Sequence, residues 1–395
     1  MTRHMALPLD GLSLPASYRW HVIETPSALE AFADDWRALE KVAEGGTLFQ
    51  GAAWGRLAAR HLEDGGAGGL YVVVVEADGV PGSRPVAVLP LRIWRRGRRR
   101  ILTGLAEPFQ QYTEMLLHPG VSPEAVWPLV EEALRGSAAD YVHLGQVRTG
   151  GPLQRAMGGS VAAVADVAGA PVIALDHWPD FESYHASVNA KTRKNLRNAR
   201  NKLKRRGELA HRVVTGGAEL AEVISRTCEG RAAWLDQLGL PSRAFDDASF
   251  DAFIERLKDP ARSGIETVAM SLTLDGVPIA EQWGFVHQGC YYAYISNWNT
   301  AFEDSSPGKL HLGDVIEACY GLGLERVDFI IPAVGYKLTW ADTVDEVRDY
   351  AMPLSPLGRL YTDGWLRRVR PGLKRVASAM PQGLRKTIVN ALLRR

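Results

Sequence analysis

A chain of 395 residues, 46% of them apolar and with a formal charge of +1, is long enough to bury two cores and carries no general attraction to nucleic acid. Its three cysteines, Cys228, Cys290 and Cys319, are too far apart for a disulfide framework or a zinc set and suit a reducing compartment. No stretch approaches 18 apolar residues, and MTRHMALPLDG lacks the apolar run of a secretory signal.

In chain order, Tyr18–Glu24 reads as a strand, and Ala28–Val42 and Gln50–Leu62 as helices. Two strong strands follow, Leu70–Glu76 and Pro85–Trp94, separated by a Gly/Pro turn at Gly79–Gly82. The run WRRGRRR holds Arg95, Arg96, Arg98, Arg99 and Arg100. It is either a solvated hairpin end or a second contact for anionic lipid. Pro123–Leu134 reads as a helix and Tyr141–Gln146 as a strand. Gly150–Gly169, rich in small residues, reads as a bridge between domains.

The second half begins near Ala174. Ser187–Arg206 carries nine basic residues in its last sixteen positions, with Val188, Thr192, Leu196, Ala199 and Leu203 on one helical stripe. Lys191, Arg193, Lys194 and Arg197 suit a phosphorylated cofactor or lipid headgroup. The helix lacks the aromatic interleaving of a nucleic-acid binder. Glu208–Val214 is a strand, and Ala218–Leu238 and Phe250–Leu257 are helices. Ile265–Leu274, Ile279–His287 and Cys290–Trp298 form a meander turned at Asp275-Gly276 and Gln288-Gly289.

The chain is organised around the stretch from Cys290 to Leu322. A strand runs into Ser306-Pro307-Gly308-Lys309, a helix follows over Lys309–Tyr320, and a strand over Arg326–Ile331 comes soon after. Backbone N–H groups at a helix start are unpaired and sit at the positive end of the dipole. Gly308 would let a phosphate approach them, and Lys309 adds a charge. The other reading is that Pro307 and Gly308 only start a helix.

The basic helix, Arg231-x-x-Trp234, the meander, SPGKLHLGDVIEACYGLG, the Val327-Asp328-Phe329 strand and Tyr336-Lys337-Leu338-Thr339-Trp340, in that order, resemble the CelD/BcsL-type acyltransferases of the GNAT superfamily. These are related to FemAB-like enzymes, and a ceramide-synthase branch is similar. The resemblance runs from about Ala174 to Trp340. It implies an α/β fold of two tandem GNAT-like modules, with mixed central sheets flanked by helices. The expected parts are a degenerate N-terminal module over 1–165, a catalytic module over 174–355 and a basic amphipathic tail over 356–395. The implied reaction moves an acyl group from coenzyme A, or from an acyl carrier protein, to an amine. The thioester is a co-substrate, no cofactor is permanently bound, and the Ser306–Lys309 loop takes the pyrophosphate. Where relatives commonly carry a Gly and an acid before Tyr-Lys, this chain has IIPAVG, which touches acceptor choice more than chemistry.

Attack on a thioester needs a proton acceptor, oxyanion donors and an exit for the thiolate. No nucleophile elbow is present, so direct transfer is expected. Alternation in PIAEQWGFV puts Ile279, Glu281, Trp283 and Phe285 on one face, making Glu281 the first candidate base. The competing reading is a buried Glu paired with an Arg. Asp328 is second, either orienting the amine or holding Lys337. His311 is either catalytic or a solvated, phosphate-side histidine. Tyr336 would donate toward the departing sulfur, and backbone N–H groups near Ser296 and Asn297 would meet the oxyanion where the strand splays.

The acceptor is a lipid long-chain base, an amino sugar of an exopolysaccharide precursor, or an aminoacyl-tRNA-dependent substrate; a non-catalytic scaffold is the fourth reading. Trp365–Arg395 holds nine basic residues and no acid, so the rest of the chain is net acidic. Leu384, Ile388 and Ala391 or Leu392 share one side of a short basic helix, as membrane-surface helices do. That favours a lipid amine and a cytoplasmic protein held peripherally on the inner membrane.

Overall fold

Thr25 caps the first helix through its hydroxyl and Pro26 fixes the first turn, so the chain leaves its opening strand straight into a helix. The computed structural model describes residues 17–77 and 84–373. The strands of its first half are β1 (Tyr18–Ile23), β2 (Gly69–Ala77), β3 (Pro85–Arg96), β4 (Arg99–Gly104), β5 (Leu116–Leu117), β6 (Tyr141–Arg148), β7 (Ala162–Ala163) and β8 (Ala168–Ala174). Its helices are α1 (Pro26–Glu40), α2 (Ala52–Glu63), α3 (Pro123–Gly136) and α4 (Pro152–Met157). The second half has β9 (Leu209–Val214), β10 (Thr267–Leu274), β11 (Val277–His287), β12 (Cys290–Trp298), β13 (Arg326–Asp328) and β14 (Thr343–Pro353). Its helices are α5 (Phe181–Ser187), α6 (Ala190–Lys204), α7 (Gly217–Leu238), α8 (Phe250–Glu255), α9 (Pro260–Ser263), α10 (Pro307–Gly321), α11 (Gly335–Leu338) and α12 (Pro356–Arg359). A π-helical segment, Leu360–Val369, follows.

All fourteen strands hydrogen-bond into one sheet, whose main path is β1-β2-β3-β4-β6-β14-β8-β13-β12-β11-β10-β9. The two halves trade strands at its centre. β14, the last strand of the second half, lies antiparallel to β6 of the first. β8, the last strand of the first half, lies antiparallel to β13 of the second. β4 with β6 and β12 with β13 are the parallel pairs, each bridged by a helix, α3 and α10 respectively.

One core cluster crosses from half to half. Phe49 packs on Trp54 and Tyr292, Trp54 on Phe253 and Phe285, and Phe253 stacks on Phe109 at 4.5 Å between centroids. Aromatic contacts of this density make the halves one unit. On the opposite face, α3 and α4 cover the first half, and α5 and α10 cover the second.

Several elements depart from the sequence reading. The helix expected from Gln50 begins at Ala52, after a single tight turn at Leu48–Gln50. The expected bridge Gly150–Gly169 contains α4 and β7 and runs into β8. The strand expected to reach Ile331 stops at Asp328, because Ile330 takes a positive φ of 49° and leaves the ladder. The turn at Gly79–Gly82, the first sixteen residues and the basic stretch from Lys374 onward lie outside the described residues.

Candidate active site

β12 parts from β13 after three residue pairs, the last being Tyr292 with Asp328. On its other side β12 continues along β11 to Trp298, with a register shift that leaves Tyr294 out of the ladder. Main-chain groups from Ala293 onward therefore have no β13 partner, and the opening begins earlier than Ser296 and Asn297. The phenol of Tyr294 anchors the bulge by donating to the Phe109 carbonyl at 2.6 Å.

α6, the start of α10 and α11 line a cavity of about 520 Å³, to which β12 and β13 contribute no residue. Ser306, in the left-handed region at φ 44°, ends the preceding loop, and Pro307 opens α10. Ser306 and Lys309 line the cavity with Asp304, Ser305 and Tyr336. The Lys309 and Leu310 N–H groups turn back onto the Ser306 carbonyl at 3.1 and 3.2 Å. An anion there would meet the Lys309 ammonium and the positive end of the helix dipole, whereas Gly308 is not among the lining residues. Gly308 itself serves packing, since a Cβ there would lie 3.2 Å from the Trp298 indole.

The facing wall belongs to α6, started by Asn189 capping the Lys191 N–H. Thr192, Asn195, Asn198 and Lys202 face the cavity. Lys191, Lys194 and Arg197 are exposed elsewhere on the helix, and the Arg193 guanidinium donates to the Val188 carbonyl. The expected basic contacts are thus replaced by two amides, a hydroxyl and one lysine. That lysine is engaged: Lys202 Nζ reaches Asp304 Oδ2 at 2.5 Å, and Arg206 lies 3.6 Å from the same carboxylate.

The carboxylates proposed as bases lie elsewhere. Glu281 is buried on the α7 face of the sheet. Arg226 of α7 donates from Nε at 3.1 Å and from Nη2 at 2.7 Å, and Ser271 adds a hydroxyl at 3.0 Å. Both oxygens are engaged, the buried pairing that the sequence left as an alternative. Trp283 and Phe285 share the main core cluster, whereas Ile279 joins a small one with Leu203 and Leu310. Asn297, opposite Glu281 across the ladder, has its amide against Gly230 of α7.

Asp328 is fully buried where the halves meet. Tyr112 donates to it at 2.9 Å, Arg148 at 3.0 Å and the Ile330 N–H at 2.8 Å. Burial pushes its carboxyl up, and Arg148, the Ile330 N–H and Tyr112 oppose that. Lys337 does not meet Asp328. Its ammonium donates to the Phe329 and Ile330 carbonyls at 2.7 and 3.2 Å, and burial brings its pKa down to about 8. His311 is neither solvated nor on the phosphate side. It is buried beside His211, and burial drives its pKa down to about 3.

Tyr336 is the proposed catalytic residue that reaches the cavity. Tyr336 is 42% exposed, and the partial desolvation of its phenol raises its pKa, with Arg231 opposing. Arg231 in turn stacks 4.3 Å over Trp234. The structure therefore gathers Ser306, Lys309 and Tyr336 around one cavity, and separates Glu281, Asp328 and His311 from it. Sequence reasoning missed Tyr112, Arg148 and Arg226, whose partners are 216, 180 and 55 positions away. Lys202 was within reach, because it continues the Thr192–Asn195–Asn198 face at helical spacing.

Residues 190–338 match the family model described as an acetyltransferase (GNAT) domain. Among solved structures, FemX is similar at 12% identity and a TM-score of 0.59, over 83% of this chain and 98% of that one. A tandem GNAT protein from the clavulanic acid biosynthesis pathway is similar at 12% identity and a TM-score of 0.50, over 86% and 99%. A conserved protein of unknown function from Bacteroides thetaiotaomicron gives 12% and 0.50, over 84% and 100%. No curated protein matches. The fold is that of two tandem GNAT-like modules.

Proposed function

We propose that this tandem GNAT-fold protein transfers an acyl group from a coenzyme A thioester to a primary amine, with a lipid long-chain base as acceptor. The observation that carries the transfer is the presence, in one module, of a parted β12–β13 edge and of a cavity lined by the anion-suited start of α10. The donor's pyrophosphate is assigned to the Ser306–Lys309 turn. Its thioester carbonyl lies along the unpaired β12 main chain, whose N–H groups near Ser296 and Asn297 stabilise the oxyanion. The neutral amine attacks the carbonyl carbon, and the adduct collapses with loss of the thiolate. The proton leaving nitrogen ends on that sulfur, with the Tyr336 hydroxyl as relay, so no charged side chain need change state. Glu281 and Asp328, each saturated with donors, act as anchors for α7 and for the 329–337 segment.

The lipid acceptor rests on the basic C-terminal stretch, which offers a peripheral membrane contact where an insoluble amine is found. The test is mass spectrometry of amines incubated with the protein and acyl-CoA. A new amide on a long-chain base and none on an amino sugar supports the reading. An amide on the sugar alone replaces the acceptor, and no amide on either removes the acyltransferase assignment.

A further inference from the structure

The charge run between β3 and β4 has no part in the cavity. Gly97, at φ 62°, reverses the chain so that Arg96 pairs with Arg99 and Arg95 with Arg100. This hairpin end is seated on the last described helical segment. The Arg99 guanidinium stacks 3.8 Å over the Tyr361 ring. Trp94, Tyr361 and Trp365 pack around Leu366, Ile101 and Tyr141. Two segments more than 250 residues apart thereby present one surface.

Arg98 is exposed at the hairpin turn and Arg359, Arg367 and Arg368 on the helical side, whereas the cross-strand pair Arg95 and Arg100 alternates onto the sheet face opposite Arg99. The nearby carboxylates are spoken for: Asp363 pairs with Arg367, and Asp140 accepts the Arg100 N–H and the Ser355 hydroxyl. Apolar side chains stand among the charges, with Leu360 72% and Val369 46% exposed. From this surface the chain runs into 374–395, which adds six Lys and Arg and no acid. A purely solvated hairpin accounts for the arginines but not for the exposed leucine beside them.

We propose that the β3–β4 hairpin and the segment Pro356–Arg370 form one docking face for an anionic membrane leaflet. Guanidinium groups meet lipid phosphates while Leu360 and Val369 enter the interface. The aromatic rings of this face are packed into its seam, so they offer nucleic-acid bases little to stack on, and exposed aliphatic side chains suit lipid better. The inference extends the membrane contact assigned above to the C-terminal stretch. It stands apart from the acceptor, because it concerns a folded surface that remains when 374–395 is unchanged.

The test is co-sedimentation of the full chain with vesicles of phosphatidylcholine and phosphatidylglycerol in equal parts. The variant carries Arg98→Glu, Arg359→Glu and Arg368→Glu, with every other residue native. Each arginine near an anionic leaflet raises partitioning about fivefold, so losing three lowers it about a hundredfold. The loss should be steepest at low ionic strength. Unchanged coenzyme A binding and thermal unfolding show that the fold is kept; if the triple variant unfolds, Arg98→Glu at the turn replaces it, with an expected loss of at least about fivefold. Wild-type-like vesicle binding by the folded variant overturns the proposal. So does tighter binding of the native chain to single-stranded RNA than to the vesicles at equal ionic strength. Vesicle binding that vanishes with these three charges, whatever amine is acylated, supports it.

Discussion

The two modules share a plan and differ at the points where chemistry would occur. In each, a strand runs parallel to its neighbour for two or three residues and then parts from it: β4 from β6 after Leu102, and β12 from β13 after Tyr292. In each, a helix beginning Ser-Pro bridges the pair. In the first module the next residue is Glu124, whose carboxylate takes the Ser122 hydroxyl at the helix start. In the second it is Gly308, followed by Lys309. An acid at a helix N-terminus satisfies the dipole internally and repels a phosphate. The first module's opening is also filled, by the buried Leu105, Ala106, Phe109 and Tyr112. One side chain from that plug, Tyr112, and Arg148 of β6 hold Asp328 at the parting of the second pair. The first module supports the second through these contacts, and the same motif is an internal clamp in one place and, on the proposed function, a ligand site in the other.

The largest expected effect comes from cutting that support. Arg148→Met leaves the Asp328 charge buried with its neutral donors alone, and breaking a buried pair costs about 3–5 kcal/mol. Urea unfolding should show the loss; a midpoint shift worth under about 1 kcal/mol would mean that the modules are held by the aromatic core without the ion pair.

Lys309→Glu gives the second helix start the acid of the first. Hydrogen bonds to charged groups contribute about 1.5–3 kcal/mol, so coenzyme A affinity should fall roughly ten- to a hundredfold in calorimetry. Glu124→Lys should leave it unchanged. Equal effects from the two variants would erase the distinction between the modules. Lys309 is the better probe than Gly308, where an added Cβ would press on Trp298 at 3.2 Å and confound packing with binding.

Glu281→Gln tests anchor against base. A positioned general base contributes about a hundredfold or more, whereas an anchor that keeps its shape and part of its hydrogen bonding should cost under about tenfold in turnover. A hundredfold loss with intact donor binding and unfolding midpoint would restore Glu281 as the base.

The smallest effect is expected at Asp304. Its carboxylate occupies Lys202 and Arg206 at the cavity wall, as an acceptor of the charge a donor phosphate would use. Asp304→Asn should tighten coenzyme A about three- to fivefold, in keeping with the modest strength of exposed ion pairs. Weaker binding would show that Asp304 positions the lysine instead of competing for it.

How much of this could be read from the chain depended on distance along it. The meander β10–β11–β12 was legible because its partners are joined by tight turns, and the start of α10 because Ser-Pro-Gly-Lys is a local signal. β8, AGAPVIA, is short and small, and β14, TVDEVRDYAMP, interrupts its apolar positions with charge. Both escaped, since their burial comes from partners in the opposite half. The Glu281 pattern gave the right face and left base and ion-pair partner both open, because alternation reports burial and is silent about Arg226 on a helix 55 residues upstream. His311 fell on the covered side of α10 for a similar reason: a first-turn position does not say which way the helix leans on its sheet.

The traded strands at the centre of the sheet bear on how the chain comes into being. β6 is complete at Arg148, yet its outer edge waits for β14, which ends at Pro353. At a typical 5–20 residues per second, the ribosome needs about 10–40 s to deliver it. Through that interval the first half carries an unpaired edge, a template on which another nascent chain can add a strand.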